Sequence, residues 1–140
     1  MPKLSPSLQL LEENLFSLLF PAFPSATISP VHPRKRTNLD SGEFLLIINY
    51  VSDGIEGSTV TNRILHPRIS FTVYALNFPS ARKFHEDLVD FLDNLSGLDF
   101  QWTDQKVDVV HRLSRTPISF DDDSFLYFIN VDYRFILSSC

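Results

Sequence analysis

The sequence predicts an α+β fold, a mostly antiparallel β-sheet with two amphipathic helices packed on it, in the order α-β-β-β-α-β-β. Three observations carry this. Leucines recur at helical spacing near the start, and a second apolar stripe of helical period runs through the eighties and nineties. Between and after these stripes lie apolar segments of period two, linked by turns short enough for antiparallel pairing. The 140 residues contain no internal repeat and leave room for a single domain, 1–140.

In the first helix Leu8, Leu11, Leu15, Leu18 and Leu19 share one face, opposite Gln9, Glu12, Glu13 and Ser17. Ser5-Pro6 is an N-cap and first-turn pair, and Pro21 predicts a stop at Phe20. Pro21, Pro24, Pro30 and Pro33 punctuate residues 21–42, read as a short strand near Ala26–Val31, held at a sheet edge by its prolines, then a loop. Glu43–Tyr50 is a nearly unbroken apolar run, suited to a strand covered on both faces. Val51–Ser58, with Asp53-Gly54 and Gly57, reads as a hairpin turn. The return limb, Thr59–Tyr74, breaks near His66-Pro67, after which Ile69, Phe71 and Val73 alternate with polar residues.

The second helix is predicted over Pro79–Ser96. Ala81, Phe84, Leu88, Phe91, Leu92 and Leu95 form its apolar stripe, and Gly97 stands where a left-handed terminator is wanted. Two strands follow. Val107, Val109 and His111 lie on one side of the first, Pro117 and Asp121-Asp122-Asp123 make a loop, and every odd position from Phe125 to Leu137 is apolar. Thirteen residues at about 3.3 Å each exceed the width of a small domain. Such a strand bends at a bulge or projects beyond its own sheet toward a neighbour.

Hydrophobic residues make up 44% and charged residues 21% of the chain, too apolar a balance for a disordered protein. The net charge of −5 argues against a surface that neutralises many phosphates, and Arg34-Lys35-Arg36, between Pro33 and Thr37, reads as a solvated turn. Cys140 alone excludes an intrachain disulfide and fits a reducing compartment. The N-terminal residues do not read as a signal peptide, and no apolar run approaches the roughly 20 residues of a membrane span, so a soluble protein is expected.

No catalytic motif emerges. His32, His66, His85 and His111 are scattered, and Val89 stands where a zinc-protease helix beginning at His85-Glu86 needs its second histidine. His85 reads as an exposed or edge residue, and His111 as a partly buried, hydrogen-bonded one. Cys140 reads as a frayed terminal thiol rather than a nucleophile. Four glycines do not build a phosphate cradle, and the three adjacent aspartates lack the spacing of a calcium loop. The residues therefore predict neither an enzyme nor a cofactor or metal site.

Three segments together resemble the tail terminator (tail completion) proteins of long-tailed bacteriophages. They are the leading amphipathic helix; the apolar strand from Pro67 to Ala75, followed at once by a helix with Ala81-Arg82 and Leu88 to Leu95; and the close, Thr116-Pro117, Asp122-Asp123, Tyr127 and Val131-Asp132-Tyr133-Arg134-Phe135. The chain departs from that pattern in having Thr116 where the family commonly has Gly, and in its longer Pro-rich segment. The resemblance implies a virion protein, made in the host cytoplasm, that forms a ring, usually a hexamer. The ring caps the tail tube, contacts the tube protein, and joins the head–tail connector, with DNA passing through its lumen without specific binding. Related expectations are another head–tail joining or neck protein, or a cellular α+β adaptor or small-ligand domain. A cyclic head-to-tail ring needs two different patches on each subunit, which the long final strand and the surplus of Phe are expected to supply. Subunit contacts are expected at Phe125, Tyr127, Phe128 and Tyr133, with Trp102 as anchor. Partner docking is expected in the loops carrying Arg34, Lys35 and Arg36, and Asp53, Ile55 and Glu56.

Overall fold

A computed structural model describes residues 8–139 apart from 30, 41, 53, 54, 60, 61, 66, 97, 98 and 101–104. Its elements run α1 (Leu8–Ala22), β1 (Ala26–Ser29), β2 (Phe44–Ser52), β3 (Ile55–Thr59), β4 (Asn62–Leu65), β5 (Arg68–Ala75), α2 (Phe78–Asp93), β6 (Asp99–Phe100), β7 (Gln105–Arg115), β8 (Ser119–Asp121) and β9 (Leu126–Ser139). This is the α+β class, with one mostly antiparallel sheet. Short strands add to the expected ones because the return limb divides into β4 and β5 near Pro67, which withholds a ladder donor, and because β6 and β8 flank β7 in sequence. Residues 55–58, expected within a turn, instead extend the hairpin in β3, paired antiparallel with β4.

The one parallel pair among the described strands joins β1 to β2. Parallel strands need a crossover of about a dozen residues or more, and the Pro-rich segment between Ser29 and Phe44 supplies it. Its Leu39 packs on Leu45, Ile47, Tyr74 and Leu126, so it crosses the sheet face opposite the helices. That contact explains why β2 is apolar on both sides. Phe44 and Leu46 point into the main core beneath α1 and α2, while Leu45 and Ile47 point into this smaller cluster.

Helix α1 reaches Ala22 rather than stopping at Phe20. Pro21 forfeits one internal bond in the last turn, yet the Phe23 N–H still donates to the Leu19 carbonyl at 2.9 Å and closes it. Helix α2 is capped by Asn77, whose side chain accepts from the Ser80 N–H at 2.9 Å, with Pro79 in the first turn. It ends at Asp93, three residues before the expected Ser96, with Asn94 as C-cap. The proposed caps at Ser5 and Gly97 lie outside the described residues.

Strand β9 is the centre of the sheet rather than a projection from it. Tyr127 and Phe128 pair with Ala75 and Tyr74 of β5 on one side and with Phe120 and Ser119 of β8 on the other. Farther on, Leu137 and Ser138 lie between β4 and β7. The backbone of this long strand is thus satisfied within the chain, and only side chains remain to meet a partner. Its odd positions Ile129, Val131, Tyr133 and Phe135 are buried beneath the helices.

Candidate functional site

Among the described residues, a cluster of exposed aromatic side chains lies where β8, β9 and the start of α2 converge. A tight turn joins β8 to β9, in which the Phe125 N–H donates to the Asp121 carbonyl at 2.9 Å. Asp121 accepts from the Ser124 hydroxyl and from the Asp123 N–H, so the acidic triplet is partly spent on holding the turn. Phe125 adopts φ 60°, a left-handed conformation strained for a bulky side chain. Phe78, Phe120 and Phe125 remain 43%, 46% and 54% exposed. The Phe120 ring meets those of Phe125 and Tyr127 edge-on at centroid distances of 6.2 and 5.2 Å, and Phe78 meets Tyr127 at 6.3 Å. Guanidinium groups flank this cluster, Arg36 at 5.3 Å from the Phe125 ring and Arg82 at 5.1 Å from that of Phe78. The Thr37 N–H donates to the Ser124 carbonyl at 3.1 Å, tying the basic loop to the turn.

The fold therefore brings together residues that the sequence placed in two separate groups. Phe125, expected like Tyr127 at a subunit contact, adjoins Arg36, expected in a docking loop, and Tyr127 joins the same cluster through Phe120; Arg34 and Lys35 are exposed beside Arg36 in sequence. Phe78 and Phe120 were missed. Phe78 opens α2 and Phe120 sits in the three-residue β8, and nothing in the period of either segment marks it as surface. Tyr133 requires correction, because it is fully buried, packs on Phe71, and donates its hydroxyl to Asp93 at 2.8 Å. Burial, then that bond to Asp93, pushes its phenol pKa up. A side chain so placed offers nothing to a neighbour. Phe128 is half-buried on the opposite sheet face, stacked 5.4 Å from Tyr74. Ile55 and Glu56 sit in β3 rather than in a loop, while Asp53 and Trp102 lie outside the described residues.

A second exposed aromatic pair, Phe16 and Phe20, stacks one helical turn apart on α1 at 5.8 Å. Helix α1 packs over β1, at one edge of the sheet order β1-β2-β5-β9. Strand β8 lies beyond β9, on the side away from β5. The two aromatic surfaces thus occupy opposite ends of the molecule.

On the face opposite the helices, a polar strip crosses β5 and β9. Ser70 and Thr72 donate to Asn130, Asn130 donates to Asp132, and Arg68 pairs with Asp132 at 2.6 Å. Burial opposes ionisation of Asp132, but hydrogen bonds from Arg68, Asn130 and Ser70 outweigh it and hold the carboxyl below its ordinary range. At the end of the strip His32 bonds Tyr74 at 2.9 Å and Asn49 at 2.8 Å. Burial, helped by Asp121, raises the Tyr74 pKa to about 12, so this phenol stays protonated and cannot serve as a base at neutral pH.

The histidine expectations fail in opposite directions. His85 is buried, not exposed, since it falls four residues after Ala81 and three before Leu88, on the inner stripe of α2. His111 is exposed, because register shifts in the β7–β9 pairing interrupt the alternation that would have turned it inward. Among the described residues no group of three or more His, Cys, Asp or Glu could hold a metal ion, and no helix is long and apolar enough to cross a membrane. The class defined so far is an α+β domain with an aromatic surface at each end of its sheet. No protein-family model matches the chain, and no curated protein matches it.

Proposed function

We propose that this protein is a structural virion component of the tail-completion type, a subunit of a ring that caps a phage tail tube and joins it to the head connector. The observation that carries the reading is the pair of exposed aromatic surfaces, Phe16 with Phe20 and Phe78 with Phe120 and Phe125, at opposite sheet edges. A closed ring is built from head-to-tail contacts, in which one patch of each subunit meets a different patch of the next. Two separated aromatic patches suit that arrangement, whereas a two-fold dimer needs only one. Aromatic side chains with guanidinium neighbours are also the usual anchors of protein interfaces. The net charge of −5 suits a lumen through which DNA slides, since like charge discourages phosphate contacts. The phage setting itself rests on the sequence resemblance.

The test is native mass by light scattering over a concentration series, with negative-stain images in the presence and absence of purified tail tubes. Rings that form alone or at the ends of tubes support the proposal. Rings that bind connectors but never tubes point to a neck protein. A strict monomer indifferent to both overturns the reading.

A further inference from the structure

The N-terminal half of α2 and the β7–β8 connection enclose an open groove of about 540 Å3. That volume falls within the range of small-molecule sites. Phe78, Pro117, Ile118 and Ile129 give it apolar walls, and Arg82, Glu86 and Arg115 bring charge to it. His85 also lines it. The residue is only 1% exposed, yet neither ring nitrogen has a hydrogen-bond partner among the described residues. A neutral imidazole carries one N–H donor and one acceptor, and leaving such groups buried and unpaired is unfavourable. Alternating core positions on the same stripe are filled by Ala81, Leu88 and Leu92, so packing alone does not call for an imidazole here.

We infer that this groove binds a small organic monocarboxylate with an apolar body, its carboxylate accepting from the His85 imidazole and the Arg115 guanidinium. Charge selects the class. Two guanidinium groups against the single Glu86 carboxylate leave one formal positive charge, in a chain whose total is −5. One carboxylate balances it. A phosphate dianion overshoots it and sets three oxygens against apolar walls, while a cation meets two like charges. Arg115 lies 3.4 Å from Glu86, a distance that leaves most of its donors uncommitted. The groups acting on His85 come from two elements, Arg115 and Arg112 on β7 and Glu86 on α2 itself. Burial is the largest influence and holds the ring neutral, so it meets a carboxylate as an N–H donor rather than as a second cation. The inference does not depend on ring formation.

The probe is benzoate, titrated into the full-length 15N-labelled protein while the ring-nitrogen signals of His85 are followed. Benzamide, its neutral analogue, and inorganic phosphate are titrated in parallel. The expected result is a saturable His85 shift with benzoate and little or none with the other two. Arg115→Met, at an exposed position that leaves the fold intact, is expected to weaken benzoate about tenfold, the worth of one charge-assisted hydrogen bond. Absence of a saturable His85 shift by about 20 mM benzoate, weaker than about −2.3 kcal/mol, overturns the inference. Equal binding of benzamide overturns it too, by reducing the groove to an apolar pocket. Stronger phosphate binding removes the monocarboxylate assignment, and an unchanged affinity in Arg115→Met removes the site.

Discussion

His85 contributes to the pH dependence of folding in a direction that follows from its burial. Burial lowers its pKa from the ordinary 6.5, so the unfolded chain takes up a proton before the folded one does. This contribution is constant above about pH 6.5, and stability falls as the pH drops from there toward the folded-state value. His85→Phe is expected to remove that part of the slope, which urea unfolding at pH 7.5 and pH 5.5 measures; an unchanged slope overturns the assignment. Phe125 presents a different case. Its left-handed backbone is strained, while its ring contacts Phe120 and Arg36. Phe125→Gly relieves about 1 kcal/mol of strain and loses contacts of similar size. Its melting temperature is expected to stay within a few degrees of the parent while self-association weakens. A large fall in melting temperature would place the ring in the core instead.

At the scale of elements, α2 couples the core to both candidate surfaces. Its inner stripe buries Ala81, Leu88, Val89 and Leu92, while its start carries Phe78 and Arg82 to the aromatic cluster and the groove. The Asn77 cap fixes where that start lies. Asn77→Ala is expected to cost about 1 kcal/mol in chemical denaturation, and Asn77→Asp to recover most of it; equal losses in both would assign Asn77 another role. Strand β9 shows why a long alternating pattern is ambiguous from sequence. Its odd apolar positions imply one covered face, but not whether the cover is an intrachain helix or a neighbouring subunit. Helix α2 resolves this by lying across β5 and β9. Phe128, packed against Tyr74 on the other face, is consequently a poor site for testing assembly, and Phe120→Asp on β8 is the better one.

For the whole molecule, the two aromatic surfaces make a prediction that no single patch makes. Phe20→Asp impairs the α1 surface and Phe120→Asp the β8 surface, and each variant alone is expected to remain monomeric with a melting temperature near that of the parent. Mixed together, they retain one intact surface of each kind, and one good contact forms per pair. The mixture is expected to yield heterodimers, visible by light scattering, and no rings. Full rings in either single variant would place the contacts elsewhere. Heterodimers are the signature of head-to-tail association, because in a two-fold contact both variants would touch through the same patch.

Local patterning determined the fold class, both amphipathic helices, the edge position of β1, the two-faced burial of β2 and the break before Pro67. Each of these follows from the spacing of apolar side chains or the missing proline N–H, properties that act within a few residues. The tertiary structure decided what those rules do not reach. It folded the Pro-rich segment across the sheet as a parallel crossover, enclosed β9 on both sides, buried Tyr133, and set Arg36 against Phe125 across 89 positions of sequence. It also turned His85 inward, although its spacing from Ala81 and Leu88 already announced that face to a reading that weighed position above polarity. Sequence spacing specifies which side chains share a face. Only the packing of one element on another decides whether that face meets the core, solvent or a partner.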